Sequence, residues 1–203
     1  MFEYLFTRIS AALNNKVDLY RMGTFYYEGK YVEKNLDKAT EYLKKATNKK
    51  YTKALYYLGL IELEKGESAT ELALALRYFL LSKNEEPSAR AEIEKLQERI
   101  IALPDTPENT KLLFKTGYIY ANDVIVGLNV PIAAKFYEAA AARGHNYARV
   151  ELAKLLTKSR PGITKDLPRA KALLEQAASE SFTQANIALQ DLLTEHPTLK
   201  DDQ

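Results

Sequence analysis

The sequence predicts an all-α protein: a right-handed α-solenoid (superhelix) of about four helix-turn-helix repeats, with capping helices and one inserted helix. Three observations lead there. Every periodic segment of the 203 residues repeats its apolar positions with a helical rather than an alternating period. Columns of small, large and capping residues return four times along the chain. Asn, Asp and Pro stand where helices should begin, and Gly recurs at one place in the first helix of three units.

The chain is read as one domain over 1–203, and its elements follow in order. An N-terminal cap helix is expected over 1–16, because Phe2, Leu5, Phe6, Ile9 and Leu13 recur at helical spacing. It reads as a cover for the open face of repeat one. The alternative is an exposed apolar helix that grips a partner. Repeats one and two are expected over about 17–53 and 54–86. An inserted helix follows at about 87–103, with Ile93, Leu96, Ile100 and Leu103 on one stripe. Pro104 and Pro107 end it, and Thr106 caps the next helix. Repeats three and four are expected over about 107–145 and 146–181, and a C-terminal helix over 182–195. The insert divides the chain into two double-repeat halves joined at 83–106, where an odd helix should wedge the superhelix.

The second helices carry the clearest columns. Ala39, Ala75, Ala133 and Ala170 begin their apolar segments. Four residues earlier stand Asn35, Glu71, Asn129 and Asp166, three of them good N-caps for the unpaired N–H groups of a first turn. Pro131 and Pro168 sit just inside, where a missing N–H costs nothing. After each Ala come the pairs Tyr42-Leu43, Tyr78-Phe79, Phe136-Tyr137 and Leu173-Leu174, then the small residues Ala46, Ser82, Ala140 and Ala177. In the first helices, Gly23, Gly59 and Gly117 share a column that Ala153 continues one residue out of step. A mid-helix Gly costs ~1 kcal/mol relative to Ala, so its return predicts a close helix–helix approach. Met22, Leu58, Thr116 and Leu152 precede this column, and Tyr26, Glu62, Tyr120 and Leu156 follow it.

Together these columns resemble the Sel-one-like repeat (SLR) family, a relative of the tetratricopeptide repeat. Repeat one carries Met22-Gly23, Tyr26, Gly29, Val32, Asn35, Lys38-Ala39, Tyr42-Leu43 and Lys45-Ala46. Repeat four matches through Gly162-Ile163, Asp166, Arg169-Ala170, Leu173-Leu174 and Gln176-Ala177-Ala178. Repeat three ends in the family manner at Ala140 to His145, and repeat two is the most divergent. The resemblance implies an α-solenoid used for protein–protein interaction, in a family with many bacterial members.

Composition narrows the function. Hydrophobic residues make up 46% and charged residues 28%, the balance of an ordinary globular chain. A net charge of +2 gives no drive toward nucleic acid or an acidic membrane. The absence of Cys removes disulfides and thiolate chemistry. The start has no basic region before its apolar residues, so an unprocessed cytoplasmic protein is expected. His145 and His196 have no second ligand at metal spacing, and no phosphate loop or serine elbow occurs. Tyr42 to Lys53 mixes lysines with tyrosines, and reads as a solvated helix end rather than a nucleic-acid contact. No catalytic residue, cofactor, metal, nucleic acid, membrane or small-molecule substrate is expected.

The resemblance also implies where a partner binds, because the first helices of such hairpins line the concave face. The outward positions flank the Leu-Gly columns. Repeat one offers Tyr20, Arg21, Thr24, Tyr27 and Glu28, and repeat two Tyr56, Tyr57, Leu60 and Glu64. Repeat three offers Phe114, Lys115, Tyr118 and Asn122, and repeat four Tyr147, Val150, Glu151, Lys154 and Lys158. Tyr56, Phe114 and Val150 should pack between repeats. The expected binding set is therefore Tyr20, Arg21, Thr24, Tyr27, Tyr57, Leu60, Glu64, Lys115, Tyr118, Glu151 and Lys154, led by its tyrosines, which supply rigid contact area. The expected function is a non-catalytic adaptor or scaffold holding a protein or peptide. A bacterial inhibitor or immunity-type protein that occludes one effector is the alternative, and an enzyme-associated regulatory subunit is a third.

Overall fold

The computed structural model describes residues 2–125 and 127–200; Met1, the first residue of the expected cap helix, lies outside them, as do residue 126 of repeat three and 201–203. Among the described residues all regular structure is helical, apart from one isolated bridge between Arg160 and Ile163. The chain forms two compact units, 1–99 and 100–203.

Unit one contains α1 (Phe2–Ala12), α2 (Lys16–Glu28), α3 (Leu36–Asn48), α4 (Ala54–Lys65) and α5 (Ala69–Ser82), and most of α6 (Ser88–Ile101). The hairpins α2–α3 and α4–α5 stack through α3 against α4, and α1 packs on α2. Unit two contains α7 (Pro107–Asn122), α8 (Val130–Ala142), α9 (Asn146–Leu156), α10 (Leu167–Ser179) and α11 (Thr183–Glu195). Its hairpins stack through α8 against α9, and α11 covers α10. A 3-10 turn, Pro197–Lys200, folds back, tied by the Lys171 Nζ donating to the Leu199 carbonyl at 2.7 Å.

The repeated columns are the core. Ala39, Ala75, Ala133 and Ala170 are fully buried, as are Ala46, Ser82, Ala140 and Ala177. The second residue of each large pair, Leu43, Phe79, Tyr137 and Leu174, is buried as well. These side chains are what the glycine column accommodates. A Cβ on Gly23 would stand 2.6 Å from Leu43 Cγ, one on Gly59 2.6 Å from the Phe79 ring, and one on Gly117 2.8 Å from the Tyr137 ring. A large residue of the second helix thus lies directly on the backbone of the first. Tyr42, the first residue of its pair, is only half-buried and stacks on Tyr26 at 5.7 Å.

Loop closure repeats too. Asn35, Asn129 and Asp166 each accept a first-turn N–H, at 2.9, 3.1 and 3.0 Å. Their own N–H groups donate to the carbonyls of Tyr26, Tyr120 and Leu156, which lashes each hairpin shut. Repeat two departs from this. Its cap is Ser68, which accepts from the Thr70 N–H at 3.3 Å, so α5 starts one turn earlier than the Glu71 column suggests. The Glu71 carboxylate in turn accepts from the Ser68 hydroxyl and from the Ser68 backbone N–H, the second as in a capping box.

The first helix requires a correction. It packs on α2, but not with the apolar stripe. Tyr4, Thr7 and Ala11 face inward, Tyr4 lying 6.4 Å from the Phe25 ring, and Glu3 accepts from the Tyr31 hydroxyl at 2.5 Å. Small residues allow α1 close to α2. The bulky Phe2, Leu5, Phe6, Ile9 and Leu13 are all exposed on the opposite face.

Candidate partner-binding surface

In unit one the first helices α2 and α4 lie side by side, and their tyrosines converge. Tyr57 is the hub, with ring centroids 5.7 Å from Tyr20, 5.4 Å from Tyr27 and 5.5 Å from Tyr56, all edge-on. Edge-to-face contacts of this kind add ~0.5–1.5 kcal/mol each beyond burial. Tyr51, from the linker after α3, extends the cluster with a centroid 5.2 Å from Tyr20. All five tyrosines are half-buried.

Carboxylates rim the cluster. The Tyr57 hydroxyl donates to Glu28 at 3.2 Å, and Tyr27 donates to Glu64. Burial, reinforced by Glu28, pushes the Tyr57 hydroxyl up to about 12. Burial raises Tyr20 and Tyr27 as well, so at neutral pH all three remain hydrogen-bond donors. Lys34 bonds Glu64 at 2.7 Å and holds its carboxyl below the usual range, while its ammonium sits 5.2 Å from the Tyr27 ring. The cluster therefore already holds a lysine against an aromatic face beside a carboxylate.

Unit two has a differently built surface. Phe114 of α7 stacks on His145 with centroids 4.5 Å apart. Tyr147 of α9 lies 6.0 Å from Phe114 and meets Phe182 edge-on at 4.7 Å. His145 caps α9, its Nδ1 accepting the Ala148 N–H at 3.2 Å, and burial holds its imidazole below the usual range. Tyr118 and Tyr147 stand out, at 53% and 48% exposed. Arg149 is buried and donates to Asn146 and Glu180 at 2.6 and 2.7 Å, which fastens α9 to the end of α10.

The expected residues divide accordingly. Tyr20, Tyr27 and Tyr57 fall in one cluster, with Leu60 half-buried and Glu64 exposed in the same unit. Arg21 is exposed, its guanidinium 3.1 Å from the Asp18 carboxylate. Thr24 is a correction: it is buried and its hydroxyl donates to the Arg21 carbonyl at 2.9 Å, so it offers a partner nothing. In unit two Lys115, Tyr118 and Lys154 are exposed, and Lys154 pairs with the half-buried Glu151 at 2.8 Å. Val150 is buried. The linker residues Tyr51, His145 and Phe182 were not anticipated. Each stands at the third residue past the end of a second helix, and the 31-residue spacing shared by Tyr20–Tyr51 and Phe114–His145 is the signal for two of them. In the lysine run, Lys45 and Lys53 are held by Glu41 and Glu86, at 2.6 and 3.3 Å.

Among the described residues no cluster of three His, Asp or Glu side chains could hold a metal ion, and no helix is long and apolar enough to cross a membrane. What the geometry defines is a protein of stacked helical hairpins with aromatic first-helix faces. The chain belongs to the Sel1 repeat family: the family pattern matches residues 18–51, 52–85, 111–145 and 146–182, more than half of its length. Repeats of this family generally mediate protein–protein interaction. Among solved structures it is similar to c5321, a protective antigen present in uropathogenic Escherichia coli strains that displays an SLR fold. The two are 17% identical over 95% of this chain and 44% of that one, with a TM-score of 0.42. It is also similar to a Sel1 repeat protein from Oxalobacter formigenes, 23% identical over 89% of this chain and 65% of that one, with a TM-score of 0.41. The chain thus spans less than two thirds of either structure's length. No curated protein matches it.

Proposed function

We propose that the chain is a non-catalytic interaction module that holds a protein or peptide segment against its first-helix faces. One observation carries this reading. Five tyrosines, Tyr20, Tyr27, Tyr51, Tyr56 and Tyr57, form a half-exposed cluster bordered by Glu28 and Glu64. Tyrosines of this kind are rigid, lose little side-chain entropy on binding and carry a donor at the tip. An unliganded fold gains little from displaying them. Tyr118 and Tyr147 supply a second exposed pair in unit two.

The test uses the whole chain as bait for proteins of its host. The wild type should retain a protein that both Tyr57→Ala and Tyr118→Ala lose, with circular dichroism unchanged. Equal retention by all three baits would place binding elsewhere. Turnover of a small molecule with no retained protein would refute the reading altogether.

A further inference from the structure

The outer face of α1 is apolar and exposed. Phe2, Phe6, Ile9 and Leu13 are 91%, 68%, 56% and 80% exposed, and Leu5 beside them is 51% exposed. Their spacing of four, three and four residues is that of a coiled-coil seam. The fold does not use this seam, since Tyr4, Thr7 and Ala11 already hold α1 to α2 from the other side.

We propose that this seam pairs with the same seam of a second copy of the chain, the two α1 helices running antiparallel about a two-fold axis. The register is self-complementary. With the axis between Thr7 and Arg8, Phe2 faces Leu13 of the second copy and Phe6 faces Ile9. Every layer then sets one aromatic against one aliphatic side chain. A parallel pair would instead set Phe against Phe at one end and Leu against Leu at the other, with the helix dipoles aligned unfavourably. The charged residues of α1, Glu3 and Arg8, lie off the seam, so pairing buries no charge.

The area agrees. At these exposures, complete covering of the five residues would remove roughly 700 Å² per copy, or twice that across the pair, which reaches the standard range for a stable interface. An apolar patch of this size is larger than most monomers leave in water. The isologous contact closes after two copies.

Sedimentation velocity over a concentration series tests the proposal. The wild type should sediment as a dimer at micromolar concentration. Ile9→Glu, and independently Leu13→Glu, should weaken association roughly a hundredfold or more while leaving the circular dichroism and melting of the monomer unchanged, since both positions are exposed. The natural chain has no Cys, so orientation can be read by oxidation. A mixture of Phe2→Cys and Leu13→Cys chains should give a disulfide-linked dimer, and Phe2→Cys alone should not. A wild type that stays monomeric at every concentration would overturn the proposal. So would a dimer indifferent to both Glu variants, or self-linking of Phe2→Cys in preference to the mixture.

Discussion

Units one and two are built alike inside and differ at their first-helix surfaces. Inside, Gly59 lies under the Phe79 ring just as Gly117 lies under the Tyr137 ring, at almost the same separation. Outside, unit one gathers its rings into a cluster centred on Tyr57, with hydroxyls turned to Glu28 and Glu64. Unit two stacks Phe114 on a histidine and leaves Tyr118 projecting. The contrast separates two kinds of position. Where two backbones approach, the geometry admits one solution and the sequence repeats it. Where side chains face water, each unit is free to present a different surface.

The strongest way to break this comparison is at the shared interior. Gly59→Leu and Gly117→Leu should each destabilise by about 3 kcal/mol or more, because Phe79 and Tyr137 are fully buried and have nowhere to move. Urea melts measure it. A large loss in one unit and none in the other would mean that the glycine column is not equivalent in the two. Next comes the hub of unit one. Tyr57→Ala removes three ring contacts and should cost ~1–2 kcal/mol of stability, whereas Tyr118→Ala should fall within ~0.5 kcal/mol of the wild type. Equal losses would erase the distinction between a packed cluster and a projecting ring.

These interior positions were legible in the sequence for a physical reason. Ala39, Ala75, Ala133 and Ala170 recur because no larger side chain fits, and the caps Asn35, Asn129 and Asp166 recur because a helix start needs an acceptor. Ser68 escaped because alignment by repeat set Glu71 in the cap column, whereas α5 has an extra turn. The orientation of α1 escaped because hydrophobicity alone favours burying Phe2, Phe6 and Ile9. Close packing on α2 favours the slimmer Thr7 and Ala11, and packing won. At the candidate surface the tyrosines were legible as a set. Their convergence on Tyr57 was not, since it depends on α2 and α4 lying adjacent, and Thr24 was misplaced because the repeat pattern does not show which flank of α2 is buried.

His145 gives a smaller difference, confined to unit two. Its imidazole is held neutral by burial and accepts the Ala148 N–H, so the folded state binds its proton more weakly than the unfolded chain. Linkage then has one sign: the stabilisation is present above the ordinary value of 6.5 and is lost as the pH falls through the lowered folded value. His145→Asn keeps a cap acceptor that does not titrate. Melting followed through this range should show a decline in the wild type that the variant lacks. An identical decline in both would assign the acid sensitivity to other groups.

The smallest effect sharpens the comparison at the repeat ends. Lys50, Gly144 and Ser181 occupy the same left-handed turn after their second helices, with φ of 59, 84 and 62°. Only Gly144 does so without steric cost. Lys50→Gly and Ser181→Gly should therefore each stabilise by ~0.5–1 kcal/mol, one in each unit, visible as a raised urea midpoint. A fall in either midpoint would mean that the side chain contributes more than the backbone conformation costs.

The reading of this chain as a partner-holding module rests on exposed aromatics that the fold does not need, and Tyr118 is the cleanest of them. Once a partner has been isolated, its affinity for the wild type and for Tyr118→Ala can be measured calorimetrically beside the melting of both chains. The account predicts about thirtyfold weaker binding, the equivalent of ~2 kcal/mol, with an unchanged melting temperature. Unchanged affinity together with a lowered melting temperature would contradict it, and would make the projecting ring of α7 a packing residue.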